Sequence, residues 1–164
     1  EFPGSRDVVI EFHSLSKTYN MTGWRVGWAC GNPQLVAALA KVKSNIDSGI
    51  FSAVQVAAVS ALTGPQDYLK SMCALYQQRR DILVDGLNAL GWQAIKPQAT
   101  FYVWIKLLPK LDAINFAAHL LKEANIVATP GVGFGQHGQG YIRMALTVSV
   151  ERIKEALARI KKIS

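Results

Sequence analysis

The chain predicts an α/β or α+β fold in two parts, on three observations. Segments with strand patterning alternate with segments of helical period along most of its length. Capping residues and glycines stand where these segments meet. One helical run of about 25 residues exceeds the usual globular helix and suits an element joining two domains.

In chain order, residues 7–13, Asp-Val-Val-Ile-Glu-Phe-His, read as a strand of largely buried type, and Trp24 to Cys30 as another. The polar connection between them, Ser14 to Gly23, is too short and irregular for a helix. Asn32-Pro33 marks a helix start, a capping side chain followed by proline at the first helical position. Leu35, Val36, Leu39 and Val42 then share one face through to Lys43. Asp47-Ser48-Gly49 breaks the chain before an Ala-rich helix from Phe51 to Leu62. Thr63-Gly64-Pro65 closes that helix, and Leu69, Met72, Leu75, Tyr76, Leu83, Leu87 and Leu90 keep helical period up to Gly91. Strands follow near Trp92–Lys96 and Phe101–Lys106, then a helix from Asp112 to Glu123 and a short strand at Ile126–Ala128. A Gly-rich loop, a strand at Tyr141–Leu146 and a last helix from Ser149 complete the chain.

These elements divide as the end of one domain over residues 1–62, an interdomain helix over 63–91 and a smaller domain over 92–164. The first part has too few strands to bury both faces of a parallel sheet. Further chain is therefore expected upstream of Glu1-Phe2-Pro3-Gly4, which has neither an initiating Met nor a signal pattern.

Composition narrows the function classes. Half the 164 residues are hydrophobic and 18% are charged, ordinary for a soluble globular protein. No run of about 18 apolar residues suggests a membrane helix. The net charge of +7 owes much to Arg152, Lys154, Arg159, Lys161 and Lys162. Ile153, Leu157, Ile160 and Ile163 interleave with them at helical spacing, which describes an amphipathic helix with a solvated basic face. No aromatic side chain stands among these cations to stack on a base, so nucleic acid is not an expected partner. Cys30 and Cys73 form neither a disulfide framework nor a zinc pattern, and the expectation is two buried thiols in a reducing cytoplasm. His13, His119 and His137 are too scattered for a metal site or a hydrolase triad. His119 reads as a structural residue of an amphipathic helix, and His13 as strand-end packing close to Lys17. Gly133-Phe134-Gly135-Gln136-His137-Gly138 spells Gly-x-Gly-x-x-Gly, but it leads into a strand rather than opening a helix, so no dinucleotide loop is expected.

The chemistry concentrates between Ser14 and Gly27. Lys17 follows a strand, where open sheets present side chains to a ligand cleft. Ser14 and Ser16 carry hydroxyls suited to phosphate oxygens, and Arg25 brings a planar fork for bidentate phosphate binding. A lysine amine attacks a carbonyl to form an imine. The ingredients for an aldehyde cofactor bearing a phosphate thus lie close together in the chain.

Ser14-Leu15-Ser16-Lys17 followed by Gly23-Trp24-Arg25-Val26-Gly27 closely resembles the cofactor-lysine signature of the class I/II aminotransferases of fold type I. The resemblance extends over essentially the whole chain. Ala99-Thr100-Phe101-Tyr102 resembles the start of a small-domain strand in that family. Pro130-Gly131-Val132-Gly133-Phe134-Gly135 resembles a loop that folds toward the active site, and Tyr141-Ile142-Arg143-Met144-Ala145-Leu146 the strand whose arginine grips the substrate α-carboxylate.

The resemblance implies the end of the large domain plus the small α+β domain of such an enzyme, a homodimer in the cytoplasm. It implies pyridoxal 5'-phosphate held as a Schiff base by Lys17, with Ser14, Ser16 and Arg25 on the phosphate and Arg143 on the substrate. Amino acids and 2-oxo acids are the implied substrates. From His13 to Arg25 the chain looks most like the LL-diaminopimelate aminotransferase group, which implies lysine biosynthesis and the 2-oxoglutarate/glutamate pair. Another transaminase or β-lyase on the same scaffold, or an aminotransferase-like sensor domain of a transcription regulator, remains open. Asp47 and Ser48 fall where family members place residues near the neighbouring subunit's cofactor. The family's acidic partner of the pyridine nitrogen and its ring-stacking aromatic are expected upstream, so the isolated chain is expected to be inactive.

Overall fold

The structure is a computed structural model that describes residues 2–109 and 111–163. It divides into two compact units, Glu1–Lys70 and Ser71–Ser164.

In the first unit, β1 (Ile10–Ser14) and β2 (Gly27–Gly31) form a two-stranded antiparallel ribbon with Glu11 opposite Cys30 and His13 opposite Trp28. Both strands are largely exposed, unlike the buried strands expected, because a two-stranded ribbon has no second layer over its faces. They are also shorter than expected, since Ser5–Asp7 and Thr22–Trp24 wind into 3-10 turns. The connection between the strands contains a one-turn helix, α1 (Leu15–Thr18), where an irregular loop was expected. Leu15 explains it. Its side chain is fully buried with Met21 and Ala58, and Tyr19, Val26, Ala57 and Ala61 pack around them. Burying a leucine contributes about 1.5–3 kcal/mol, enough to fold so short a segment back on itself.

Helix α2 (Pro33–Lys43) begins where Asn32 accepts hydrogen bonds from Gln34 N at 2.8 Å and Leu35 N at 3.1 Å. Helix α3 (Ser52–Thr63) supplies Ala58 to the cluster around Leu15. Helix α4 (Asp67–Ala89) starts before the division between the units and ends ahead of Gly91, whose φ of 84° suits a glycine after a helix.

The second unit is built on a four-stranded sheet of β3 (Gln93–Ile95), β4 (Tyr102–Lys106), β5 (Thr129–Pro130) and β6 (Tyr141–Ala145), in the order β3-β4-β6-β5, antiparallel throughout. Strand alternation sorts its two faces. Val103, Ile105, Ile142 and Met144 lie in the core with Leu83, Val84 and Leu87 of α4, Leu120 of α5 (Ala113–Ala124), and Ile153 and Ile160 of α6 (Val150–Ile160). Tyr102, Trp104, Tyr141 and Arg143 occupy the opposite, half-buried face. Asp112 and Ser149 cap α5 and α6 as the sequence anticipates. The fifth strand is displaced from the expected 126–128, because Asn125 ends α5 in the left-handed region and pairing begins only at Thr129. β5 lies at the sheet edge, where the missing N–H of Pro130 costs no ladder bond.

Both cysteines are free and exposed, against the expectation of burial. Cys30 sits on the uncovered ribbon, and Cys73 precedes the turns of α4 that meet the core.

Candidate active site

The segment from Ser14 to Val26 closes on itself as a hook. Ser14, at the end of β1, caps α1 by accepting from Ser16 N at 3.1 Å. Tyr19 N donates to Leu15 O, and Asn20 then turns the chain at φ 53°. Thr22 Oγ1 donates to Ser16 O at 2.9 Å, and Arg25 Nη1 donates to Thr22 O at 3.1 Å. Leu15 N donates to Val26 O at 3.3 Å, which brings the two ends of the hook together. Gly27 follows because β2 must start against β1: a Cβ there would stand 2.4 Å from His13 O. Leu15 fills the inside, while Ser14, Lys17 and Arg25 are exposed and Ser16 is half-buried.

Four of the five residues singled out in the sequence therefore share one hook. Ser14 Oγ spends a lone pair on Ser16 N and keeps its hydrogen to donate, and Arg25 engages one guanidinium nitrogen with Thr22. No carboxylate occurs between Ser14 and Gly27 to compete for these donors. Two hydroxyls, a guanidinium and an amine gathered in one segment fit a phosphate next to a carbonyl. Arg25 adopts φ 53° and ψ 50°, a left-handed conformation that the closed hook sustains. Sequence reasoning did not single out Thr22, whose bridging role depends on the fold of the hook.

Arg143, the fifth residue, belongs to the second unit and stands opposite Trp104 on the half-buried sheet face. Its Cζ lies 3.9 Å from the ring centroid of Tyr102 and 4.1 Å from that of Phe134. Its guanidinium N–H groups make no hydrogen bond or ion pair with another described residue. The cation thus rests on two aromatic rings that use none of its N–H donors, which suits bidentate binding of a planar carboxylate.

His13 Nε2 lies 2.9 Å from Glu11 Oε2, and its ring stacks on Trp28 at 5.1 Å and 15°. Glu11, His13 and Cys30 come within 4.8 Å of one another, a proximity that strand pairing creates and spacing in the sequence does not reveal. All three are exposed. The Asp47 carboxyl is held below its usual range by Lys43 and then by Gly49 N–H, so it serves the turn before α3. His119 is exposed on α5 beside Phe116. The run Gly133 to Gly138 spans two 3-10 turns and leads into β6 without opening a helix.

Residues 3–160 match the family described as Aminotransferase class I and II. The chain belongs to that family. It is 53% identical over 161 residues to an LL-diaminopimelate aminotransferase from Moorella thermoacetica, covering 98% of this chain and 41% of the relative. It is 55% identical over 164 residues to an enzyme of the same name from Syntrophobacter fumaroxidans, covering all of this chain and 42% of the relative. Among solved structures, a probable N-succinyldiaminopimelate aminotransferase from Thermus thermophilus is similar with a TM-score of 0.92 at 32% identity, over 99% of this chain and 44% of that one. The aspartate aminotransferase from Rhizobium meliloti is similar with a TM-score of 0.87 at 36% identity, over 98% and 43%. The chain thus spans about two fifths of the length of the curated relatives it matches and shares its mixed helix-and-sheet fold with these structures. Among the described residues, no helix is long and apolar enough to cross a membrane.

Proposed function

We propose that the whole protein is a pyridoxal-phosphate-dependent amino-acid aminotransferase, acting on LL-diaminopimelate with 2-oxoglutarate and glutamate as the partner pair. The hook that gathers Ser14, Ser16, Lys17 and Arg25 carries this reading. The substrate choice rests on the relatives at 53% and 55% identity. A homodimer in the cytoplasm follows from the same family resemblance.

In this reading Ser14, Ser16 and Arg25 bind the phosphate and Lys17 Nζ is the point of covalent attachment. When bound, the cofactor supplies an aldehyde carbon for the substrate amino group and a ring that accepts electrons from the α-carbon. Lys17 Nζ takes the proton from the substrate α-carbon and returns it on the cofactor side. Arg143 binds the α-carboxylate through two parallel N–H···O bonds and so fixes the C–H bond that breaks. The hydroxyls of Ser14 and Ser16 supply neutral donors, while Arg25 supplies the positive charge that balances the phosphate.

A second reading, a transaminase with another substrate, is favoured by the variety among similar structures. They include enzymes named for aspartate and for aromatic substrates at 36% and 28% identity. The fold therefore does not select the substrate.

The full-length protein separates these readings. Borohydride reduction with pyridoxal phosphate should leave the cofactor on the Lys17 peptide, and LL-diaminopimelate with 2-oxoglutarate should yield glutamate. A cofactor that reduces onto another residue overturns the assignment of Lys17. Turnover of aspartate or aromatic amino acids with none of LL-diaminopimelate overturns the substrate while leaving the reaction class.

A further inference from the structure

We propose that Tyr102 and Phe134 are positioning residues that clamp the Arg143 guanidinium in one plane, leaving its N–H edge for a substrate carboxylate. This rests on the reading of Arg143 as the carboxylate-binding group. An arginine side chain has four flexible torsions, and an unpaired one on a half-buried face samples many directions. Here two rings lie against the guanidinium, with Cζ 3.9 Å from the centroid of Tyr102 and 4.1 Å from that of Phe134. Aromatic faces attract the cation without consuming any N–H donor. The clamp therefore fixes orientation and keeps the hydrogen-bonding capacity intact, which a carboxylate partner within the protein would not do.

Each jaw is itself held. Tyr102 lies on β4 two residues before Trp104, the register partner of Arg143, so strand alternation puts all three on the same face. The Tyr102 ring packs on Phe101 at 4.5 Å. Phe134 comes from the Gly-rich loop, and Trp104 meets its ring edge-on at 5.4 Å and 73°. The loop is closed by two glycines back to back. A Cβ on Gly131 would stand 2.1 Å from Gly138 O, and one on Gly138 would stand 2.0 Å from Gly131 O. No other residue permits that approach, and it fixes the turn that ends at Phe134. The Gly-rich loop then has a purpose unrelated to phosphate: it delivers one aromatic ring to the arginine.

The test uses the full-length holoenzyme and compares glutamate with 4-aminobutyrate, which is glutamate without its α-carboxylate. Single-turnover rate constants per unit concentration, read from the cofactor absorbance, give a ratio that reports carboxylate recognition. Phe134→Leu and Tyr102→Leu should each lower the glutamate/4-aminobutyrate ratio about tenfold, while Phe134→Tyr stays within about threefold of the parent. A fall in both rates with the ratio unchanged makes the rings merely structural and overturns the clamp. Arg143→Gln should lower the ratio about 100-fold. If it does so while both leucine variants keep the parental ratio, the clamp alone fails. A parental ratio in Arg143→Gln overturns the carboxylate role and the clamp with it.

Discussion

Arg25 and Asp81 show how single residues carry different burdens. Arg25 sits at φ 53° in a region that a non-glycine residue enters at a cost of about 1–3 kcal/mol. The hook sustains it through the bond to Thr22 O, and the conformation fits the phosphate role proposed for its side chain. Asp81 bears on stability through its ion pairs. Lys96 Nζ lies 2.9 Å from its carboxylate and Arg80 Nη2 2.8 Å, and these partners, Lys96 first, hold the carboxyl below its ordinary pKa of 3.8. A depressed folded pKa means stability that is present above 3.8 and is lost as the pH falls through the folded value. Asp81→Asn should therefore lower the thermal midpoint at pH 7, and the gap from the parent should close as the pH falls below 3.8. Midpoints recorded across that range check it; a gap that widens in acid contradicts the assignment.

Elements differ in how far they could be read from the chain. The starts of α2, α5 and α6 were legible because Asn32, Asp112 and Ser149 cap N–H groups two or three residues away. Such bonds are local, and sequence spacing specifies them. The place of β5 was not legible, since it depends on which backbone groups β6 offers. Gly86 shows the same contrast inside α4. Helix propensity favours alanine over glycine by about 1 kcal/mol, yet a Cβ at Gly86 would stand 2.4 Å and 2.9 Å from the two δ-carbons of Leu157 on α6. Gly86→Ala should therefore show little or no net stabilisation, whereas the same change on a Leu157→Ala background should recover about 1 kcal/mol. Urea unfolding of the four proteins in this cycle measures the coupling. Strict additivity would mean that the two helices do not meet at this point.

At the scale of the whole molecule the two units are unequally built. Among the described residues, fifteen buried ones form one core cluster in the second unit, and three form the cluster under the Lys17 hook in the first. Opening free energy follows buried apolar contact, so backbone amides of Val103, Ile105 and Ile142 should exchange with solvent far more slowly than those of β1 and β2. Hydrogen exchange of this chain, resolved by residue, tests that ordering. Uniform protection across both units would refute it.

From the sequence alone came the capped helices, the strand at Tyr141–Leu146 that carries Arg143, and the cofactor-lysine signature. Ser14, Ser16, Lys17 and Arg25 lie within twelve residues of chain, and covalent connection keeps them close however the rest folds. Only the tertiary structure decided how Leu15 anchors them, why both cysteines are exposed, and what holds Arg143. Tyr102, Phe134 and Arg143 are separated in the chain, and strand register and the glycine-closed loop bring them together. The division follows from the range of the forces: caps and spacing act over a few residues, whereas register and packing depend on segments that are remote until the chain folds.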